Sequence, residues 1–185
     1  MEIEDVRDDL TTILYQPTQI ERRVRELAAE IDRDYDGQDL LIVGVLNGAV
    51  MAVADLTRAM TIDCEMQWVA FSSYGDGTTS SGVLRILKDL NVDLTGRHVL
   101  IVEDIIDTGL TLSYLVQNLR HRGPASLEVL TVFRKPAARQ GQVAVKYVGF
   151  DIEDEFVVGY GLDYAGRYRN LNGLGVLSPA VYRRS

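Results

Sequence analysis

The sequence is poor in cysteine and in long apolar runs, and each shortage excludes a class of protein. A single cysteine, Cys64, cannot form an internal disulfide, and its mixed apolar and polar surroundings predict a buried, inert thiol. No apolar run approaches the length of a membrane span, and the first nine residues carry five acidic side chains instead of the apolar stretch of a secretory signal. We therefore expect a cytoplasmic protein without a membrane partner.

Basic charge is scarce as well. The net charge of −8 opposes binding to a nucleic-acid backbone, which requires a clustered basic surface. An acidic protein can still bind a polyanionic small molecule when a divalent cation such as Mg²⁺ lies between them. Lysine is rare in this chain, so a lysine beside a motif merits individual attention; the lysines are Lys88, Lys135 and Lys146.

Strand and helix patterns alternate along the chain and predict an α/β fold with a largely parallel sheet. A capping-box pattern at Thr18 and Glu21 precedes apolar positions at helical spacing, which predict the first helix. At 185 residues we expect one domain, with a core over about 18–146 and a small hood from the N-terminal segment and about 147–185. The predicted strands are 40–46, 66–71, 83–87, 99–102, 127–133, 156–160 and 174–177, and the later helices 49–60 and 110–122.

The segment 99–112, VLIVEDIIDTGLTL, is the most informative in the chain. Its apolar start predicts a strand covered on both faces, ended by Glu103 and Asp104. Thr108, Gly109 and Thr111 then precede a helical pattern, so free backbone N–H groups and hydroxyls can surround a phosphate at a helix N-terminus. Carboxylates accept hydrogen bonds from ribose hydroxyls, so the pattern favours a sugar phosphate. The alternative is a core strand with a solvated acidic end, followed by an ordinary capped helix.

The connection 72–82, SSYGDGTTSSG, has no aliphatic side chain and three glycines. This composition is typical of a lid, which can exclude water from an electrophilic sugar cation. A loop tip without function is the alternative.

These segments resemble the type I phosphoribosyltransferases, and among them the hypoxanthine-guanine group. The supporting segments are GVLNGAV at 44–50, the corner Arg134-Lys135-Pro136 and FVVGYGLDYAGRYRNL at 156–171. The resemblance implies transfer of ribosyl phosphate from phosphoribosyl pyrophosphate to N9 of a 6-oxopurine, with Mg²⁺, in a homodimer or homotetramer. The enzyme-class alternatives are a xanthine- or adenine-directed relative. The alternative from another class is a non-catalytic nucleotide-sensing regulator with the same fold.

The resemblance also implies roles for residues at the sugar and the purine. Glu103 and Asp104 would contact the ribose hydroxyls directly or through Mg²⁺-bound water, and Asp107 would take or stabilise the proton on purine N7. Lys135 would donate to the purine O6, Phe156 would stack on the base and the Val157 backbone would contact its edge, with Tyr147 and Tyr160 as weaker stacking candidates. Without the resemblance, the alternative for Asp107 is a turn-forming residue and the alternative for Lys135 is a surface lysine. The 5′-phosphate residues are Asp107, Thr108, Gly109, Leu110 and Thr111.

For pyrophosphate the resemblance implies a backbone loop, sometimes with a non-proline cis peptide, and an arginine. Asn47 departs from the family in this loop, where many members have lysine, and Leu110 is a milder departure. Asp163 would be a third metal-associated carboxylate, beside Glu103 and Asp104, and would also lie at the purine. The alternative for Asp163 and Arg169 is a surface ion pair. His98 and His121 receive no role. The implied pyrophosphate residues are Leu46, Asn47, Gly48 and Arg169, and the implied lid residues are Ser73 and Tyr74.

Overall fold

A six-stranded, largely parallel sheet with helices on both faces forms the larger part of the structure. This computed structural model describes residues 1–73, 84–136 and 143–182. Along the chain the elements are a 3₁₀ helix (Ile3–Asp9), β1 (Leu10–Tyr15), α1 (Pro17–Asp34), β2 (Leu40–Leu46), α2 (Val50–Ala59), β3 (Glu65–Ser73), β4 (Leu84–Lys88), β5 (His98–Ile106), α3 (Leu110–Arg120), β6 (Ser126–Arg134), β7 (Tyr147–Asp151), β8 (Val157–Val158), β9 (Leu174–Leu177) and α4 (Pro179–Tyr182).

The order of strands brings three carboxyl ends together at the middle of the large sheet. That order is β4-β3-β2-β5-β6-β7; β4 pairs antiparallel with β3, and the other neighbours pair in parallel. The ends of β2, β5 and β6 therefore lie side by side, at the edge where open α/β sheets bind ligands. The predicted α/β fold with a hairpin excursion is confirmed.

The central strand β5 is covered on both faces because successive side chains alternate between them. Leu100 and Val102 pack in the cluster that contains α1 and α2, whereas Val99 and Ile101 pack in the cluster that contains α3. All four side chains are fully buried. This packing fixes the backbone that continues into the acidic residues of the same strand.

A second, antiparallel sheet in the order β1-β9-β8 joins the N-terminal segment to the C-terminal region, the two parts predicted to form the hood. The predicted boundary at 147 is too early, because 147–151 is β7, which extends the large sheet beside β6. Strand β8 is also shorter than the predicted 156–160, since the chain turns at Gly159 and Tyr160, both with positive φ.

Two further sequence predictions are corrected by backbone hydrogen bonds. The predicted capping box at Thr18 and Glu21 is wrong, because α1 begins at Pro17 and the Gln16 N–H donates to the side chain of Gln19. Strand β5 does not end at Glu103, because its pairing with β6 continues to Ile106. Within the described ranges, no helix has the length and apolar character needed to span a membrane.

Candidate active site

The two carboxylates of β5 face opposite sides of the sheet rather than forming one pair. Glu103 lines a hollow of about 200 Å³ together with residues 105–112. The carboxylate of Asp104 instead lies against Gly48, where its Oδ2 is 1.6 Å from the position that a Cβ would occupy. The sequence prediction placed both carboxylates on the ribose. The structure assigns Glu103 to the helix α3 side and Asp104 to the loop after β2.

Burial makes the ionised form of both carboxylates unfavourable. Burial raises the pKa of Glu103 well above its ordinary value, and the charge of Asp104 adds to the shift. Burial also raises the pKa of Asp104, although the Ile105 N–H donates to its Oδ1 at 2.8 Å and Arg169 lies near enough to oppose the shift. Oxygen donors that favour a nearby cation in this way fit hydrated Mg²⁺.

The hollow beside Glu103, which we call the cradle, is lined by the residues that were expected to hold the 5′-phosphate. Gly109 has φ of 74° and forms the N-cap of α3, so the chain turns sharply before the helix. The first helical N–H groups therefore face outward, as anion binding requires. Ser113 closes the turn, since its N–H and its hydroxyl both donate to the Gly109 carbonyl, at 2.9 and 2.8 Å. Thr108, Leu110 and Thr111 also line this hollow, as predicted.

Asp107 and Lys135 meet at a second hollow of about 280 Å³, which shares Asp107, Thr108 and Gly109 with the first. Lys135 Nζ lies 3.7 Å from Asp107 Oδ2. Lys135 is not a surface lysine, because only 8% of it is exposed, whereas half of the Asp107 side chain is accessible. A donor and an acceptor therefore stand side by side next to the cradle.

The glycine loop after β2 contacts a turn of the C-terminal region. A Cβ on Gly161 would lie 2.0 Å from the Gly48 carbonyl oxygen, so the two backbones touch. Arg169 Nη1 donates to the Gly161 carbonyl at 2.7 Å, and Nη2 pairs with Asp163 Oδ1 at 2.6 Å. The predicted pyrophosphate residues and Asp163 are thus brought together beside Asp104.

The loop backbone itself has the predicted form. The peptide bond between Leu46 and Asn47 is cis. Ala49 donates to the Val45 carbonyl at 3.1 Å, which closes the turn into α2. Asn47 is therefore the second residue of a cis peptide, in the loop for which the resemblance implies backbone contacts to pyrophosphate.

Phe156 is exposed directly before β8, whereas Val157, the first residue of β8, is buried. Phe156 is 47% exposed, and its ring makes an edge contact with Tyr164 and a tilted contact with Tyr182. Tyr147 and Tyr160 are not stacking candidates, because both are buried and their hydroxyls donate to Asp34 and Asp55.

Several sequence predictions have other outcomes. Ser73 ends β3 and pairs with Leu84, but Tyr74 and most of the predicted lid lie outside the described residues.

Among the described residues, no group of three or more His, Cys, Asp or Glu side chains is close enough to hold a metal. Glu103, Asp104 and Asp163 are therefore not one cluster; Mg²⁺ typically needs only one or two carboxylates when substrate phosphates supply the rest. Burial raises the pKa of the Cys64 thiol, in agreement with an inert role.

One contact at the site was missed from the sequence. Asp154 Oδ1 accepts a hydrogen bond from Lys135 Nζ at 3.1 Å. The sequence feature that could have indicated this contact is the acidic run at 153–155, directly before Phe156.

A larger cavity of about 560 Å³ lies between α1, α2 and residues 160–172, away from the cradle, and was not predicted.

Comparisons with known proteins agree with this geometry. A family model described as a phosphoribosyl transferase domain matches residues 11–165. A hypoxanthine-guanine phosphoribosyltransferase of Mycobacterium avium is 52% identical over 182 residues, covering 95% of this chain and 90% of that protein. One of Bacillus subtilis is 46% identical, covering 96% and 98%. A crystal structure of a hypoxanthine phosphoribosyltransferase from Staphylococcus aureus superposes with a TM-score of 0.92 at 41% identity, covering 96% of this chain and 97% of that one. The resemblance predicted from the motifs is confirmed, and the chain belongs to the phosphoribosyltransferase family.

Proposed function

We propose that this protein is a purine salvage enzyme that transfers the 5-phosphoribosyl group of phosphoribosyl pyrophosphate to N9 of hypoxanthine or guanine. N9 forms a bond to C1′ of the ribose, the bond from C1′ to the pyrophosphate oxygen breaks, and pyrophosphate leaves with the electron pair. The purine loses one proton, and the products are IMP or GMP and pyrophosphate. The relatives in M. avium and B. subtilis are named for this group of substrates.

One observation carries the proposal: Asp107 borders both the hollow lined by Glu103 and the hollow that contains Lys135. A ribose 5-phosphate in the first hollow and a purine in the second would meet at Asp107. A carboxylate at that junction can accept the proton that purine N7 carries as N9 attacks. The other predicted role of the turn, as a mere cap of α3, does not account for the buried lysine beside it.

The purine end of the site matches a 6-oxopurine. A lysine ammonium has three N–H donors and no acceptor, so Lys135 complements the O6 of hypoxanthine or guanine and not the amino group of adenine. An unpaired donor against the wrong base is unfavourable, so this contact discriminates between bases. The half-exposed ring of Phe156 offers a face for stacking. The family resemblance implies that the backbone of Val157 would contact the edge of the base.

The pyrophosphate end combines backbone and guanidinium donors. Gly48 lets the loop after β2 approach Asp104 closely, and Arg169 is held at the same place by Asp163 and Gly161. Hydrogen bonds from these groups would strengthen as negative charge grows on the leaving group.

The residues that would hold Mg²⁺ form two separate sets, Glu103 on the α3 side and Asp104 with Asp163 beside the glycine loop. Their fit follows from the upward pKa shifts of the two β5 carboxylates, which a cation would reverse. When bound, Mg²⁺ supplies positive charge that offsets the developing charge of pyrophosphate. A single domain, a homodimer or homotetramer, and a cytoplasmic location belong to the same proposal.

The test is turnover by the purified protein with phosphoribosyl pyrophosphate and Mg²⁺, with hypoxanthine, guanine, xanthine and adenine supplied separately. We expect nucleotide formation with hypoxanthine and guanine. Turnover of adenine alone would refute the role of Lys135. Nucleotide binding without turnover of any base would refute the enzymatic function and favour a sensing role.

A further inference from the structure

We propose that Asp154 is a positioning residue, which holds the Lys135 ammonium away from Asp107 so that both groups remain available to the purine. The inference rests on the proposed function and assigns a role to a residue outside the predicted site. It starts from the two carboxylates that flank Lys135. Nζ lies 3.1 Å from Asp154 Oδ1, which is a hydrogen bond, but 3.7 Å from Asp107 Oδ2, which is beyond one.

Backbone hydrogen bonds at the end of β6 set the positions of both Lys135 and the loop that carries Asp154. The Lys135 N–H donates to the Ile106 carbonyl at 3.0 Å at the end of the β5–β6 ladder. The Ile152 N–H donates to the Arg134 carbonyl at 2.8 Å, and the Arg134 guanidinium makes two hydrogen bonds to Asp151. The loop that carries Asp154 is therefore tied to the residue next to Lys135, and the pair is set by backbone geometry.

The burial of Lys135 makes this ion pair stronger than an ordinary surface pair. Exposed ion pairs contribute little because water screens both charges. Here about two thirds of the Asp154 side chain is exposed, but only 10% of the Lys135 side chain is. A buried ammonium needs a hydrogen-bonded partner, and without Asp154 the remaining flanking carboxylate is Asp107. The ammonium would then need to move by about 0.8 Å, from 3.7 Å to the roughly 2.9 Å of a charge-assisted hydrogen bond.

Such a movement would damage both functions of the purine pocket. Lys135 would direct a donor to Asp107 instead of the purine O6, and Asp107 would be occupied when N7 needs an acceptor. Asp154 prevents this by accepting one N–H of Lys135 from the outer side. The cradle and the glycine loop do not depend on this contact.

The experiment compares Asp154→Asn, Asp154→Glu and a matched control, Glu153→Gln, which removes a carboxylate from the same exposed loop. In Asp154→Asn, kcat/KM for hypoxanthine should fall by roughly 10- to 100-fold, the range for a lost charged hydrogen bond, while KM for phosphoribosyl pyrophosphate stays within about twofold. The preference for hypoxanthine over adenine should fall too. Asp154→Glu should recover most of the activity, and Glu153→Gln should match the parent protein. Thermal unfolding checks that each variant folds.

The outcomes separate the inference from the proposed function. If the parent protein turns over no 6-oxopurine, the proposed function fails. If the parent is active and Asp154→Asn behaves like Glu153→Gln, only the positioning role fails. An equal rise in KM for both substrates would also refute it, because that is the effect of a general structural disturbance.

Discussion

The contact between Gly161 and Gly48 gives a prediction whose size follows from the structure. In Gly161→Ala the new Cβ would lie 2.0 Å from the Gly48 carbonyl oxygen, about 1 Å closer than such atoms approach in proteins. The obstacle is backbone, so a side-chain rotation cannot relieve it. Either the loop after β2 or the 159–161 turn must shift by about 1 Å, and a displacement of that size at a reacting centre can reduce activity by about 100-fold.

The alanine also meets an unfavourable backbone conformation, which a control must separate from the clash. Gly161 has φ of +101°, and alanine at positive φ costs about 1–2 kcal/mol. Gly96 has φ of +74° with no atom near its Cβ position, so Gly96→Ala carries the conformational penalty alone. We expect both variants to lose stability, and Gly161→Ala to lose about 1–3 kcal/mol more, the usual effect of overpacking.

The assays are urea unfolding and steady-state kinetics with phosphoribosyl pyrophosphate and hypoxanthine. Gly96→Ala should keep the parent kcat/KM, whereas Gly161→Ala should lose about two orders of magnitude and bind pyrophosphate more weakly. Equal activity in the two variants would show that the loop tolerates the displacement. The reasoning that joins the small sheet to the pyrophosphate end of the site would then be wrong.

Three other perturbations test separate parts of the site. Asp107→Asn should leave binding of phosphoribosyl pyrophosphate largely intact and slow nucleotide formation by about two to four orders of magnitude in single-turnover kinetics, and near-normal turnover would remove its role as proton acceptor. Asn47→Lys should tighten pyrophosphate binding in calorimetry; no tightening means that the side chain is irrelevant there. Burial raises the pKa of Glu103 in the folded state. At pH values between the ordinary pKa of glutamate and this raised pKa, the folded state binds more protons than the unfolded state, so the free energy of unfolding falls as the pH rises. In EDTA, Glu103→Gln should therefore unfold at a higher temperature than the parent at pH 8 and at a similar one near pH 4, and parallel curves would contradict this.

The sequence predicted the parts of the site that follow directly from an apolar strand. The run 99–102 identified β5, and the polar residues after it were placed at the correct edge of the sheet. The sequence could not show that β5 continues to Ile106, because that extension depends on pairing with β6. It therefore did not show that Glu103 and Asp104, as successive residues of a strand, face opposite sides.

Contacts between distant segments were beyond sequence reasoning for a different reason. The pairing of Asp154 with Lys135 depends on a hydrogen bond from Ile152 to Arg134, which joins two strands that no local pattern connects. The approach of Gly161 to Gly48 requires the small sheet to dock on the large one. The family resemblance identified residues near these contacts, such as Lys135 and Gly48. The contacts themselves join segments that are distant in the sequence, and the resemblance did not predict them.

The division of the site between a paired strand and the loops around it has a consequence for redesign. Glu103 lines the hollow proposed for the sugar phosphate and Asp104 lies against the glycine loop, so changes there would alter binding of phosphoribosyl pyrophosphate. Asp154 and Phe156 lie on an exposed connection that tolerates substitution more readily. To make the protein accept a different heterocycle, residues 153–156 should be varied and the β5 sequence kept. The base specificity can then change while the binding of the ribose phosphate is preserved.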